Sequence, residues 1–513
     1  MRAFFEKKLK LLNEFFVLDG HHQQVFKYLC VFSILYLFPL ILANFYYIDD
    51  VGRFANSEFN WLKDGRPLMQ LMGKCLGLGK PYLDIFPLGQ VLSALILNYS
   101  LVLWGRKYIK EKKPFVVAGY LALSYLNLFL LEAFSYVFES IGMTISFSLF
   151  LFLYALPDNV EYRTKLLFSM ITVVLSMSFY QASLGAYIGL AGIELILVEC
   201  QSNQIVKPKG QCFIRALGFL LGTLIYYYVI AGRFLKGYGV EHGSLLNLAT
   251  YAGIEQFFHH VAVYMDKYKI YGQSLHRVII WILSIVYMGG TFALIQKNKR
   301  KKNFLLAKIG MSLFVLIQPI FLAFISVVMF AVLQHPVYAP RVFLSFTVVF
   351  LYFAIQLDIL SEKIKYVNIL LIPLLAFIVS FSAGYGNLLH REDRHDQYIA
   401  QSIAADITKV ENREHLSFNK VTFIGKQPES LELSRQRKKR PLMAALVPIY
   451  MNSDWYWGGR YLDHFRNKPI RLISAAKEDR IWIHESNPEA ENDFYKLYRK
   501  NDKIIISFCP ERL

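Results

Sequence analysis

The sequence predicts a polytopic α-helical membrane protein that carries a small soluble α/β domain at its C-terminal end. Hydrophobic residues make up 55% of the 513 residues, and charged residues only 18%. The apolar residues form long runs, so we expect the lipid bilayer to surround most of the chain. From about residue 385 onward the sequence is polar, mixed in charge and without a run long enough to span a membrane.

The first 24 residues precede the first apolar run. Lys7, Lys8 and Lys10 alternate there with leucine and phenylalanine, a pattern typical of an amphipathic helix that lies on the inner membrane surface. We expect the first apolar run to be an anchor and not a cleaved leader. The predicted organisation is therefore a surface helix at 1–24, a transmembrane part at 25–384 and a soluble domain at 385–513.

Apolar runs predict about eleven membrane-spanning helices, because a helix needs about 20 residues to cross the hydrocarbon core. The stretch 166–199 is too long for one span, since a helix of this length would reach about 51 Å. Two helices joined by a turn at Tyr180 and Gln181 fit better. The candidate spans lie near residues 26–47, 86–104, 115–131, 141–157, 166–180, 183–199, 216–234, 276–295, 308–333, 342–358 and 367–384.

Clusters of lysine and arginine predict the orientation of these helices. They follow the second, sixth, eighth and tenth spans, which all end on one side if the N-terminus is cytoplasmic. The C-terminus then faces outward. The same bias accounts for the formal net charge of +18, and nucleic acid is a poor partner for so apolar a chain. The predicted outward loops are residues 48–85, 132–140, 235–275 and 334–341.

Short apolar runs in the C-terminal part alternate with helical patterns, which predicts an α/β domain. The predicted strands lie near residues 421–425, 442–448, 470–474 and 504–508, and the predicted helices near 394–410 and 456–466.

Two adjacent aspartates, Asp49 and Asp50, stand where the first span leaves the membrane on the outward side. Arg53 follows at the spacing at which side chains meet on a helix, and Arg66 lies at a glycine–proline turn. A charge pair that anchors a helix end is the simpler interpretation. The combination of carboxylate and arginine also suits a reaction in which a sugar hydroxyl loses a proton and a lipid phosphate departs.

Six short motifs stand in order along the membrane part. They are residues 47–53 (Tyr-Ile-Asp-Asp-Val-Gly-Arg), 61–68 (Trp-Leu-Lys-Asp-Gly-Arg-Pro-Leu), 84–90 (Asp-Ile-Phe-Pro-Leu-Gly-Gln), 134–140 (Phe-Ser-Tyr-Val-Phe-Glu-Ser), 179–183 (Phe-Tyr-Gln-Ala-Ser) and 340–341 (Pro-Arg). Their order and their placement on one face resemble the Gtr type-II family, the serotype-converting glucosyltransferases of bacterial O-antigen. The chain departs from the family pattern at Glu139, where an aspartate is expected.

The resemblance implies a multi-pass glycosyltransferase of the GT-C type in the bacterial inner membrane, with its active site facing the periplasm. The implied donor is undecaprenyl phosphate glucose, and the implied acceptor is lipid-linked O-antigen, a precursor of lipopolysaccharide. Such enzymes invert the anomeric centre in one displacement, with an aspartate of the first outward loop as general base. Metal dependence varies across the fold, so a divalent cation is the one cofactor left open.

By position we expect Asp50 to be the base, with Asp49 orienting it or exchanging roles with it. Arginine can form two bonds to phosphate oxygens, and Arg53, Arg66 and Arg341 are the candidates for the donor phosphate. Sugar hydroxyls are expected at the other outward turns, at Glu139, Tyr180 and Gln181. The simpler interpretations are an interface tyrosine for Tyr180 and a snorkelling charge for Arg341. No metal ligands are assigned, because the histidines of the long outward loop show no convergent third ligand.

Several other functions remain open at this point. A transporter or flippase of lipid-linked glycans would place charged residues inside the spans and along a path across the membrane, whereas the notable charges here gather at the outward ends. A polymerase of lipid-linked glycans, or an acyltransferase with a catalytic histidine, is an alternative within the enzyme class.

Overall fold

The computed structural model describes residues 15–56, 59–201, 208–299, 305–453 and 455–508. Most of the predicted surface helix, residues 1–14, lies outside this range. The first helix begins at Gly20, where Asp19 accepts a hydrogen bond from the backbone N–H of His22 at 2.9 Å and so caps the helix.

The described chain is mainly helical. Twenty-one α-helices occur in the order α1 Gly20–Ala43, α2 Asp49–Asn56, α3 Pro67–Leu76, α4 Leu88–Tyr108, α5 Pro114–Ala122, α6 Leu130–Ser135, α7 Glu139–Ala155, α8 Tyr162–Phe179, α9 Leu184–Gln201, α10 Pro208–Ile225, α11 Gly232–Phe234, α12 Tyr238–Gly243, α13 Tyr251–Ser274, α14 Arg277–Lys299, α15 Leu305–Ala331, α16 Thr347–Ser361, α17 Leu371–Glu414, α18 Leu431–Lys439, α19 Pro441–Ala445, α20 Trp457–Asp463 and α21 Lys477–Glu485. Short 3₁₀ turns occupy Leu123–Leu126, Gln181–Ser183, Pro340–Phe346 and Val367–Leu370, and a π-turn occupies Tyr226–Ala231.

Eight helices in the described part are long and apolar enough to cross a membrane, and two shorter apolar helices lie at Pro114–Leu126 and Glu139–Ala155. This pattern is that of a polytopic membrane protein, while the number of about eleven spans and their orientation stay predictions. The predicted break at Tyr180 and Gln181 is confirmed, because α8 ends at Phe179 and a 3₁₀ turn precedes α9.

The run at 115–131 was expected to span the membrane as one helix, and this expectation is wrong. Helix α5 ends at Ala122, a 3₁₀ turn follows, and α6 begins only at Leu130. From Val116 onward the run is buried inside the protein, where irregular backbone can be satisfied by neighbouring groups. Asn127 stands in the gap, and its side-chain amide donates to the carbonyl oxygen of Phe343 and to Thr347, both at 3.0 Å.

Helix α17 continues without interruption past residue 384, the predicted end of the transmembrane part, and contains the predicted helix at 394–410. The C-terminal region, residues 415–508, follows it. Its five-stranded sheet has the order β2-β1-β5-β4-β3, with β1 parallel to β2 and β5, and β4 antiparallel to β3 and β5. The strands are β1 Lys420–Ile424, β2 Arg471–Leu472, β3 Ala490–Glu491, β4 Tyr495–Lys500 and β5 Lys503–Phe508.

The sheet confirms the predicted α/β character of this region, with one correction. Residues 442–448 were expected to form a strand, but helix α19 occupies Pro441–Ala445. Proline at the first helical position has a φ angle that suits a helix start, and the alanines that follow favour the helix. Apolar side chains of this region, including Tyr450 and Ile504, join the same buried core as those of α1 and α4. The C-terminal region therefore packs directly on the helical part.

Candidate active site

The acidic pair lies at the start of α2, directly after a tight turn that follows α1. Asn44 ends α1 in the left-handed conformation with φ 45°, and Ile48 has φ 47°. Asp49 and Asp50 are the first two residues of α2, a position where the helix dipole favours negative charge. The turn thus delivers two carboxylates side by side at an end of α1 that the sequence predicts to face outward.

The two aspartates have different surroundings. Asp50 is 0% exposed, and its Oδ2 accepts a hydrogen bond from the backbone N–H of Val137 at 2.8 Å. Its Oδ1 lies 3.5 Å from Nη1 of Arg53. The side chain of Asp49 is 29% exposed, and its Oδ2 lies 3.5 Å from Nη2 of the same arginine. Asp49 is therefore the carboxylate of the pair that a ligand can reach.

Burial raises the pKa of Asp50 from its ordinary value of 3.8 to about 7. The positive charge of Arg53 and the N–H of Val137 lower the pKa but do not cancel the effect of burial. Asp50 consequently keeps its proton to a higher pH than an exposed aspartate does.

We expect this aspartate to make stability depend on pH. The folded protein holds the proton more tightly than the unfolded chain, so the folded state loses stability as the pH rises from about 4 to about 7, and the loss is complete above pH 7. Asp50→Asn, which keeps a neutral side chain at the site, should flatten this part of the curve. Thermal midpoints of the purified protein between pH 4 and 8 measure it. An unchanged slope in the variant would contradict the assignment.

Glu139, the first residue of α7, joins the acidic pair to the second half of the first loop. Its Oε1 accepts hydrogen bonds from Nη2 of Arg53 at 2.6 Å and from the indole N–H of Trp61, and lies 4.0 Å from Nη1 of Arg66. The guanidinium of Arg53 also lies 4.8 Å from the centre of the Trp61 ring. The longer side chain of glutamate thus reaches two arginines of the first loop.

Arg66 meets the turn between α8 and α9. Its Nε donates a hydrogen bond to Oε1 of Gln181 at 2.8 Å, and its guanidinium lies 4.8 Å from the centre of the Tyr180 ring. The amide nitrogen of Gln181 in turn donates to the carbonyl oxygen of Asp64 at 2.8 Å and to the hydroxyl of Tyr226 at 2.9 Å. The structure therefore brings Arg66, Tyr180 and Gln181 together.

Arg341 stands in the 3₁₀ turn before α16 and pairs with Glu132. Its Nη1 lies 3.0 Å from Oε1 of Glu132, and its backbone N–H donates to the second oxygen of the same carboxylate. The guanidinium lies 5.4 Å from the centre of the Tyr136 ring, and Asp49 and Tyr180 are among the groups that interact with it electrostatically. All eight predicted site residues thus belong to one region of the molecule.

The sequence analysis assigned no role to Glu132, Trp61 or Tyr136. Glu132 is 1% exposed, and a buried carboxylate in so apolar a run requires a cation. That requirement was the signal that could have found it. Among the described residues, no group of three or more histidines, cysteines, aspartates or glutamates is arranged to hold a metal ion.

Comparisons with known proteins identify the family of this chain. The family model described as glucosyl transferase GtrII matches residues 38–352. The chain is also 27% identical over 499 residues to an uncharacterized 55.3 kDa protein in the gtrB 5' region of Salmonella phage P22. The alignment covers 93% of this chain and 96% of the phage protein. No solved structure matches significantly. Since the matched range covers more than half of the chain and contains all the site residues described above, this protein belongs to the GtrII glucosyltransferase family.

Proposed function

We propose that this glucosyltransferase moves glucose from undecaprenyl phosphate glucose to lipid-linked O-antigen at the periplasmic face of the bacterial inner membrane. One observation carries the proposal: a partly exposed carboxylate, Asp49, shares one electrostatic cluster with arginines from three separate segments of the chain. Membership of a glucosyltransferase family favours this function over the transporter, flippase and polymerase alternatives.

Asp49 is the proposed general base. Of the two aspartates it is the exposed one, whereas Asp50 is buried and bonded to the N–H of Val137. In the proposed step, Asp49 takes the proton of an acceptor hydroxyl while that oxygen attacks the anomeric carbon of the donor. The bond between the anomeric carbon and the phosphate oxygen breaks, and undecaprenyl phosphate leaves with the electron pair. A single displacement of this kind inverts the anomeric centre. Asp50 has a separate role: its bond to the N–H of Val137 keeps the start of α2 in place.

The proposed role of the arginines is to stabilise the negative charge that develops on the leaving phosphate. Arg66 is best suited to contact the phosphate, because its close partner Gln181 is neutral and Glu139 lies as far as 4.0 Å away. Arg53 and Arg341 already pair closely with Glu139 and Glu132. We propose that they contribute positive potential and hold the two glutamates in place. Glu139, Tyr180 and Gln181 belong to the same cluster, and their proposed role is to bind sugar hydroxyls.

The proposal is tested with purified protein in nanodiscs that contain radiolabelled polyprenyl phosphate glucose and a lipid-linked O-antigen acceptor. We expect label to appear in the acceptor, at a rate that depends on the polyprenyl donor, and no transfer when UDP-glucose replaces it. Transfer from the nucleotide sugar, or no transfer from the lipid donor, would contradict the proposed donor class.

A further inference from the structure

We propose that the C-terminal region fixes the conformation of the turn between α1 and α2, residues 44–48, which directly precedes Asp49. Tyr450 is the proposed positioning residue. The inference rests on the proposed function, because it concerns the turn that delivers Asp49. It gives the C-terminal region a role in the reaction, which neither the family resemblance nor the site residues assign to it.

The hydroxyl of Tyr450 bridges the two sides of the turn. It donates a hydrogen bond to the carbonyl oxygen of Tyr46 at 2.7 Å and accepts one from the backbone N–H of Ile48 at 3.0 Å. Ile48, directly before Asp49, has φ 47°. A β-branched residue is rarely found in this left-handed region and must be held there by its surroundings. The Tyr450 hydroxyl is the group that holds it.

A second hydrogen bond connects the C-terminal region to Tyr47, which lies between Tyr46 and Ile48. The hydroxyl of Tyr47 donates to the carbonyl oxygen of Leu446 at 2.7 Å, and the hydroxyl of Tyr385 lies 3.3 Å from the same oxygen. Tyr385 is also bonded to Ser135 of α6 at 2.9 Å. The turn is therefore tied to residues of α17 and α6 through one carbonyl group of the C-terminal region.

Helix α2 itself rests on the C-terminal region. Trp457 packs so closely on Gly52 that a Cβ atom at position 52 would lie 2.0 Å from Cζ3 of the indole. Only glycine permits this approach. Helix α2 is also held by the bond between Asp50 and the N–H of Val137. Three contacts therefore orient the start of α2, and with it the side chain of Asp49. They are those of Tyr450 with Ile48, of Trp457 with Gly52 and of Val137 with Asp50.

Tyr450 is in turn fixed by its neighbours. Its ring is stacked with the rings of Phe45, Trp455 and Tyr461, at centroid distances of 5.9, 5.6 and 4.9 Å. The next residue, Met451, exchanges hydrogen bonds with Gln427, which follows β1. The hydroxyl can therefore be removed while the ring stays in place, and this makes Tyr450→Phe a precise test.

In the full-length protein, we expect Tyr450→Phe to lower kcat for transfer by about ten- to hundredfold, since small displacements of a catalytic group cost rates of this order. The KM for the lipid donor should stay within about twofold, because Arg66, the proposed phosphate contact, lies outside α2 and the turn before it. Tyr461→Phe is the matched control. It lies in the same stack, but its hydroxyl points to Asp393 at 3.3 Å, so its kcat should equal that of the unmodified protein. An unchanged kcat in Tyr450→Phe, or equal losses in both variants, would overturn the inference.

Hydrogen–deuterium exchange of a peptide that contains residues 44–56 gives a readout that does not depend on activity. We expect faster exchange in Tyr450→Phe than in Tyr461→Phe, because the amide of Ile48 loses its acceptor. Equal exchange in the two variants would contradict the positioning role. If the unmodified protein transfers no sugar from the lipid donor, the proposed function fails, and the exchange experiment still decides whether Tyr450 holds the turn.

Discussion

Asp49→Asn is expected to lower kcat for glucosyl transfer by about 10³-fold while the protein inserts and folds normally. Asparagine keeps an oxygen that can accept the bond from Arg53, but it cannot take a proton from the acceptor hydroxyl. General bases accelerate reactions by about 10² to 10⁴. Asp50, the other carboxylate of the pair, is buried, whereas Asp49 is partly exposed. The measurement is steady-state transfer by purified protein, with the KM for the donor as a check that binding persists.

Asp50→Asn is the matched control, because it makes the same chemical change one residue further on. Its amide oxygen can still accept the N–H of Val137, and a neutral side chain suits this buried position. We expect a kcat within about tenfold of the unmodified protein. The opposite order, with Asp50→Asn inactive and Asp49→Asn active, would return the base to Asp50, as the position in the sequence first indicated.

Arg341→Met is expected to destabilise the protein by about 3–5 kcal/mol, since it leaves the buried carboxylate of Glu132 without its cation. Thermal unfolding in detergent should show a clearly lower midpoint. Adding Glu132→Gln removes the unpaired charge, and the amide oxygen of glutamine can still accept the backbone N–H of residue 341. The double variant should therefore recover most of the lost stability.

The double variant also separates folding from catalysis. If Arg341 contributes positive potential to the leaving phosphate, transfer by the stable double variant should stay at least about tenfold below that of the unmodified protein. Recovery of both stability and transfer would reduce Arg341 to a structural partner of Glu132 and remove it from the proposed phosphate site.

Local patterns were enough to predict the features that depend on neighbours in sequence. The break between α8 and α9 followed from the length of the apolar run, and the closeness of Asp49 and Asp50 to Arg53 followed from helical spacing. The run at 115–131 misled the prediction, because hydropathy is the same for a helix that faces lipid and for a segment buried among other helices. Its break at Asn127 depends on Phe343 and Thr347, far along the chain.

The remaining site features depend on contacts between distant parts of the chain. Glu132 and Arg341 are 209 positions apart, and Ile48 and Tyr450 are 402 apart. No spacing rule relates such residues, so the sequence alone gave Glu132 no partner and the C-terminal region no role. The same limit applies to the two aspartates. Their order along the chain does not tell which of them is buried and accepts the backbone N–H of Val137.

The proposed reaction requires the lipid donor, the acceptor and the acidic pair to meet on one side of the membrane. This is tested with oriented vesicles that contain the purified protein, radiolabelled polyprenyl phosphate glucose and a membrane-impermeant acceptor. Labelling of the thiol in Lys63→Cys marks the side on which the first loop lies. We predict that glucose is transferred only when the acceptor is on the side where position 63 is labelled. Transfer confined to the opposite side would contradict the proposed site.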